Sequence, residues 1–151
     1  MIELNVRKSG VMAEVAKVTD YTGAKLTERG GPGELRDSIL MTDGAQRDLD
    51  RFWDEAQNAV CEVLKECLIS GGTVSDGGEP TCRVQIRESR MFDKTLRATV
   101  ESLIRSFFIA SITGQWFRLA NKEEAEGYMK QAGEYLLAAD RLVYSRRGPG
   151  M

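Results

Sequence analysis

"FFIASITGQWFRLANKEEAEGY", residues 107–128, decides how this chain is read. Apolar residues run at helical spacing as far as Trp116 and Phe117, and then the rhythm breaks. Asn121 is placed to cap a new helix, with Glu124 where it closes a capping box. A reversal this short forces the two helices antiparallel. Backward, Leu96, Val100, Leu103, Ile104 and Ile112 extend the first helix over about Met91–Leu119. Forward, Ala125, Tyr128, Ala132, Tyr135, Leu136, Ala139 and Leu142 carry the second. At about 1.5 Å per residue the pair spans roughly 43 Å and 36 Å. Carboxylates open the last helix and Arg146 and Arg147 close it, the placement its dipole favours.

Three glycines fall inside this hairpin: Gly114, Gly127 and Gly133. Each costs about 1 kcal/mol against alanine in a helix interior. Folding the chain back around Asn121 sets Gly114 near Gly127 and Tyr128, and Ala110 near Ala132. Close helix approach accounts for such small residues, and for Gly133 a glycine merely tolerated in solvent accounts for it equally well.

Upstream, "MIELNVRKS" alternates Ile2, Leu4 and Val6 with Glu3, Asn5 and Arg7, a half-buried strand at about 1–8. Ser9 can cap a helix from about Gly10 to Asp20, which Gly23 would stop. Residues 27–38 hold three glycines and a proline and read as a flexible connection. Asp43, with Gln46, caps a helix whose apolar face runs from Leu49 through Phe52, Trp53, Ala56, Val60 and Leu64 to about Leu68. "SGGTVSDGGEP", residues 70–80, reads as a second turn-rich loop. "TCRVQIRES" alternates again and gives a strand at about 81–88 that pairs with the first. Two strands alone are marginal, so helices must cover them or another chain must complete the sheet.

The expected fold is therefore mainly α with a minor β element: an antiparallel helical bundle with a long C-terminal αα-hairpin and two short strands. One domain spans 1–145, and 146–151 form a flexible tail. At 151 residues with 42% apolar and 29% charged residues, the chain is ordinary globular material with room for one core. It shows no signal-like leader and no run of roughly 20 apolar residues for a membrane span. Three cysteines, an odd number, point to a reducing compartment.

No catalytic or metal-binding constellation emerges. There is no histidine, the commonest general base and metal ligand. Cys61, Cys67 and Cys82 lack zinc spacing and read as small buried hydrophobes. "GGPGEL" and "GGTVSDGG" lack the phosphate-loop pattern. Asp76 and Glu79 of "SDGGE" could meet a cation but lack the spacing of a calcium loop. No cofactor is expected. A net charge of −2 argues against nucleic acid; the one basic cluster is Arg141, Arg146 and Arg147. The adjacent bulky pairs Phe52-Trp53, Phe107-Phe108 and Trp116-Phe117 can each address two surfaces, since neighbours on a helix stand about 100° apart. Candidate interface residues are Phe117, Arg141, Arg146, Arg147 and Pro149, the last three in a tail that can dock on a neighbour.

"EVAKVTDYTGAK", "MTDGAQRDLDRFWDEA", "SFFIASITGQWFRLANKEEAEGYMKQA" and the terminal "YSRR" with its proline resemble, in the same order, a group of proteins encoded in tailed phages and prophages of gut Bacteroidetes. That group is similar in size and helical pattern to the small helical head–tail connector, or adaptor, proteins of tailed phages. The resemblance implies a virion structural subunit. It would be made in the host cytoplasm and carried into the virion neck. Its partners would be portal and tail or neck proteins, and copies would form a homo-oligomeric ring. The resemblance implies no catalytic residue. The group's end usually continues as a basic-proline stretch; here "RRGPGM" keeps Pro149 with fewer basic residues. The alternative is a nucleic-acid-handling packaging or regulatory factor that uses the basic end. An enzyme ranks last.

Overall fold

The computed structural model describes residues 1–28, 43–87, 94–119 and 121–144. Among them the chain is mostly helical with one small antiparallel sheet. The elements run β1 (Ile2–Arg7), α1 (Lys8–Glu28), α2 (Asp43–Val63), β2 (Leu68–Asp76), β3 (Glu79–Ile86), a 3₁₀ turn (Lys94–Leu96), α3 (Arg97–Phe117) and α4 (Lys122–Tyr144).

The sheet has three strands in the order β1-β3-β2, not two. The two expected strands do pair antiparallel, Ile2 opposite Ile86 and Val6 opposite Cys82. The third comes from the stretch read as a glycine-rich loop. Helix α2 ends at Val63 rather than Leu68, and after a turn over residues 64–67 the chain runs out as β2. Leu64 is buried on the turn and Leu68 half-buried on the strand, so the apolar spacing continues although the helix does not. The turn is held from β3's end: the Arg87 N–H donates to the Cys67 carbonyl at 2.7 Å and its Nη2 to the Glu66 carbonyl at 2.9 Å.

Gly77 and Gly78, at φ +61° and +86°, form the two-residue turn from β2 to β3. Two successive positive φ values are what a type I′ hairpin turn demands, and glycine supplies both without strain. Asp76 and Glu79 face each other across it and meet cations of this chain: Arg83 at 3.4 Å and Arg7 at 3.9 Å.

One face of the sheet is the core. Ile2, Leu4, Val6, Cys82, Val84 and Ile86 are all buried there. The other face is a polar ladder. Gln85 Nε2 donates to Glu3 Oε1 at 3.3 Å, Arg83 Nε donates to Asn5 Oδ1 at 2.9 Å, and Ser70 Oγ donates to Gln85 Oε1 at 3.0 Å. The hydrogen bonds from Gln85 and then Asn5 hold the Glu3 carboxyl below its usual range.

Helix α1 starts directly on β1, two residues before the expected start, and passes through Gly23 to Glu28. Ser9 therefore lies inside the first turn, where its hydroxyl donates to Glu79 Oε2 at 2.9 Å instead of capping. Val11, Val15 and Thr19 form the buried line, with the Thr19 hydroxyl returned to the Val15 carbonyl at 2.9 Å. The rest of the 27–38 connection and the Asp43 cap side chain fall outside the described residues.

Helix α3 is the centre of the molecule, buried on several sides from Val100 to Phe117. A helix apolar over most of its circumference is one that other elements surround. All three bulky pairs lie in this interior. Phe108 meets Trp53 at 4.6 Å between ring centroids, and Phe117 stacks on Tyr128 at 5.6 Å. After α3 the chain reverses, and Asn121 Oδ1 accepts the Glu123 N–H at 3.1 Å as the first cap of α4. Helix α4 buries Ala125, Ala132 and Ala139, seven residues apart, so small side chains line its contact with α3.

Close approach holds for one of the three hairpin glycines. A Cβ on Gly114 would lie 2.7 Å from Met129 Sδ and 3.3 Å from the Met129 backbone nitrogen. Gly114 thus faces Met129. Gly127 and Gly133 are exposed with open space around them, so the packing role expected of Gly127 does not hold.

Candidate functional site

The two edges of the sheet differ. In an antiparallel ladder alternate residues turn both backbone groups toward one neighbour. The two-residue turn makes Asp76 and Glu79 the bonded closing pair, so Val74, Gly72 and Ser70 bond toward β3. Ser75, Thr73 and Gly71 turn their N–H and C=O outward. On β1 the outward residues are Glu3, Asn5 and Arg7.

The β1 edge is closed by side chains of α3. Glu101 Oε2 accepts the Asn5 N–H at 3.0 Å, and Arg97 Nε donates to the Glu3 carbonyl at 2.9 Å. The two side chains pair with each other at 3.7 Å, one helical turn apart. Together they occupy the place of a further strand, a standard way to blunt an edge. Replacing Glu101 with alanine should cost about 1–2 kcal/mol by stranding that partly buried N–H. Chemical denaturation measures this, together with faster exchange of the Asn5 amide.

The β2 edge is open. Among the described residues no hydrogen bond answers its outward backbone groups. The strand carries no lysine and no proline, and no charge before Asp76. Ile69 is 50% exposed and Val74 36%. Thr73, Val74, Ser75, Gly78 and Pro80 line a shallow groove of about 240 Å³ along it. Behind the strand stands α2. Trp53 Nε1 donates to Thr73 Oγ1 at 3.0 Å, and that hydroxyl donates to Gln57 Oε1 at 2.7 Å. The strand is therefore backed by α2 while, among the described residues, its edge stays free.

A second hollow, about 330 Å³, lies at the α3–α4 reversal between Arg118, Lys122, Ala125, Glu126 and Met129. Exposed Leu119 lies beside it in sequence. Among the described residues no three His, Cys, Asp or Glu side chains gather to hold a metal, and no helix is long and apolar enough to cross a membrane.

Of the expected interface residues, Phe117 and Arg141 lie among the described residues. Phe117 is 1% exposed and belongs to the chain's own core. It stacks on Tyr128 of α4, and Trp116 is buried too, which corrects the expectation that one member of the pair faces a partner. Arg141 is exposed on the last turn of α4. Arg146, Arg147 and Pro149 lie outside the described residues. The open edge was missed because its glycines spoke for a loop. Val74-Ser75-Asp76 and Thr81-Cys82-Arg83 flanking the two-glycine turn were the available hairpin signal.

Of the three cysteines expected to be buried, Cys82 is, whereas Cys61 and Cys67 are only half-buried. Burial, and then the nearby Cys61, raise the Cys82 thiol to about 12, and burial raises Cys61. Cys82, buried and almost never ionised at neutral pH, should resist a thiol reagent until the protein unfolds. Mass spectrometry of protein labelled at pH 8 with and without urea tests this; labelling of Cys82 in native protein contradicts it.

Compared with known proteins, the chain matches no family model, no curated protein and no solved structure.

Proposed function

We propose that this protein is a structural subunit working through protein–protein assembly, of the head–tail connector kind found in the neck of tailed phages. The observation that carries the assembly reading is the unequal treatment of the sheet edges. Arg97 and Glu101 close β1, while among the described residues nothing answers the outward groups of β2, which α2 backs. Globular proteins normally blunt a long free edge, and an unblunted one is a template for another chain. The connector assignment rests on the sequence resemblance.

In this reading α3 and α4 form an antiparallel spacer that packs beside copies of itself around a ring. Exposed Leu119, Leu137 and Tyr144 are available to neighbouring subunits. Heterologous contacts that close on themselves generate such rings. The test is assembly. Native mass measurement and negative-stain images should show either a ring or a monomer that joins purified portal rings. A chain that stays monomeric and joins neither portal nor tail proteins would overturn the reading. Salt-dependent binding to DNA at micromolar concentration would favour a packaging or regulatory factor instead.

A further inference from the structure

We propose that the free edge of β2 receives an extended arm of a neighbouring polypeptide. The arm has no helix above it and carries basic side chains on its α2-facing side. This deepens the assembly reading and rests on it.

The backbone fixes the first part. Gly71, Thr73 and Ser75 present alternating donors and acceptors along one line, a row that among protein segments an extended strand matches. A proline or a bent segment could not.

The position of α2 fixes the second part. Trp53, Gln57 and Cys61 lie four residues apart and all point at β2: the first two bond to Thr73, and Cys61 Sγ lies 2.6 Å from where a Cβ on Gly71 would stand. Helix α2 thus sits directly over the edge strand. Strands in a sheet are about 4.8 Å apart, whereas packed helices need about 8–10 Å between axes. A second copy adding its own β2 across a two-fold axis would bring its α2 down on this one. The opposite edge of a second copy's sheet offers no alternative, because Arg97 and Glu101 close β1. What fits is a bare arm.

Charge fixes the third part. At about 100° per residue, the side of α2 just outward of the Trp53–Gln57–Cys61 line carries Asp50, Asp54 and Asn58. Asp50 is shared with Lys8 at 2.6 Å but remains 59% exposed, and Asp54 is exposed with no ion pair among the described residues. Arg47 lies about 9 Å further along the axis from Trp53, toward the start of α2. Arg51, further round the same side, is engaged by Asp48 at 3.5 Å and Glu55 at 4.0 Å, so the carboxylate left for an arm lying against Ser75, Thr73 and Gly71 is Asp54, which favours arginine or lysine there.

The experiment tethers a probe so that weak pairing is visible. An eight-residue arm alternating valine with threonine, two of its threonines replaced by arginine, is fused after Met151 through a flexible Gly/Ser linker. Tethering holds the arm at roughly millimolar effective concentration. Amide exchange is followed residue by residue. Exchange at Gly71, Thr73 and Ser75 should slow at least tenfold, with Gly72 and Val74 unchanged because they already bond to β3. The effect should vanish in Ser75→Pro, which removes one outward N–H, and should fall at least threefold when glutamate replaces the two arginines. No slowing, or equal slowing with the glutamate arm, overturns the proposal. So does concentration-dependent protection of the same amides in the unfused chain, which would assign the edge to a second copy. Those outcomes leave portal co-assembly to be judged separately. A chain that binds the arm but joins no portal or tail assembly sinks only the connector reading.

Discussion

Trp53→Ala should lower stability by about 4 kcal/mol, a loss of roughly 10 °C in melting temperature for a chain of this size. Three effects add at that position. The indole is 1% exposed, so its removal leaves a large cavity between α2, α3 and the sheet. Its ring meets Phe108, itself fully buried, at 4.6 Å and a tilt of 48°, an aromatic contact worth about 1 kcal/mol beyond burial. Its Nε1 donates to Thr73, the hydroxyl that α2 uses to hold β2. Trp53→Phe separates these: it keeps much of the volume and ring contact and loses the hydrogen bond, so about 1–2 kcal/mol should go. Urea unfolding measures both. If Trp53→Ala costs less than about 2 kcal/mol, the seam between α2 and the sheet is not where the core is anchored. In the alanine variant the amides of Gly72 and Val74 should also exchange faster, because the edge strand loses its backing.

Much of this fold was legible because burial and periodicity agree along β1, β3, α3 and α4. Ile2, Leu4 and Val6 alternate with polar residues, and the chain does put them on one side of a sheet. Asn121 announced the start of α4 through a side chain that does accept the N–H groups of Glu123 and Glu124. At Gly71 and at Phe117 a local signal was overridden by tertiary packing. Gly71 and Gly72 speak for a loop, yet both pair with β3 in a strand, and at Gly71 α2 lies too close for a side chain. Gly23 speaks for a helix end, yet α1 continues past it. Phe117 looked available to a partner because a neighbouring aromatic already filled the core stripe, whereas α3 is surrounded and has room for both. The edge asymmetry was not readable in sequence at all. It depends on Arg97 and Glu101 meeting β1 from more than ninety residues away, and no local pattern encodes that pairing.

Gly71→Val should be the second costly substitution, about 3 kcal/mol, although valine is the better strand residue. The clash is specific: the new Cβ would stand 2.6 Å from Cys61 Sγ, and 3.5 Å from Leu68 Cδ1. The Cys61 sulfur is a single bond beyond its own Cβ, so it can move only by changing rotamer on a helix held by Trp53 and Gln57. The obstruction should therefore be removable from the other side. Cys61→Ala alone should cost little, since that side chain is only half-buried and makes no hydrogen bond shown among the described residues. Combined with Gly71→Val it should recover more than half of the loss, a coupling of at least about 1.5 kcal/mol between the two positions. Strict additivity would mean that valine harms the strand for some other reason, such as its twist at the bulge beside Ile69. Recovery would establish that the distance between α2 and β2 is set by this glycine and this cysteine. That same closeness leaves no room over the edge for a second α2, so the rescued double variant, with α2 free to shift, is also where any pairing of two copies through β2 should first appear.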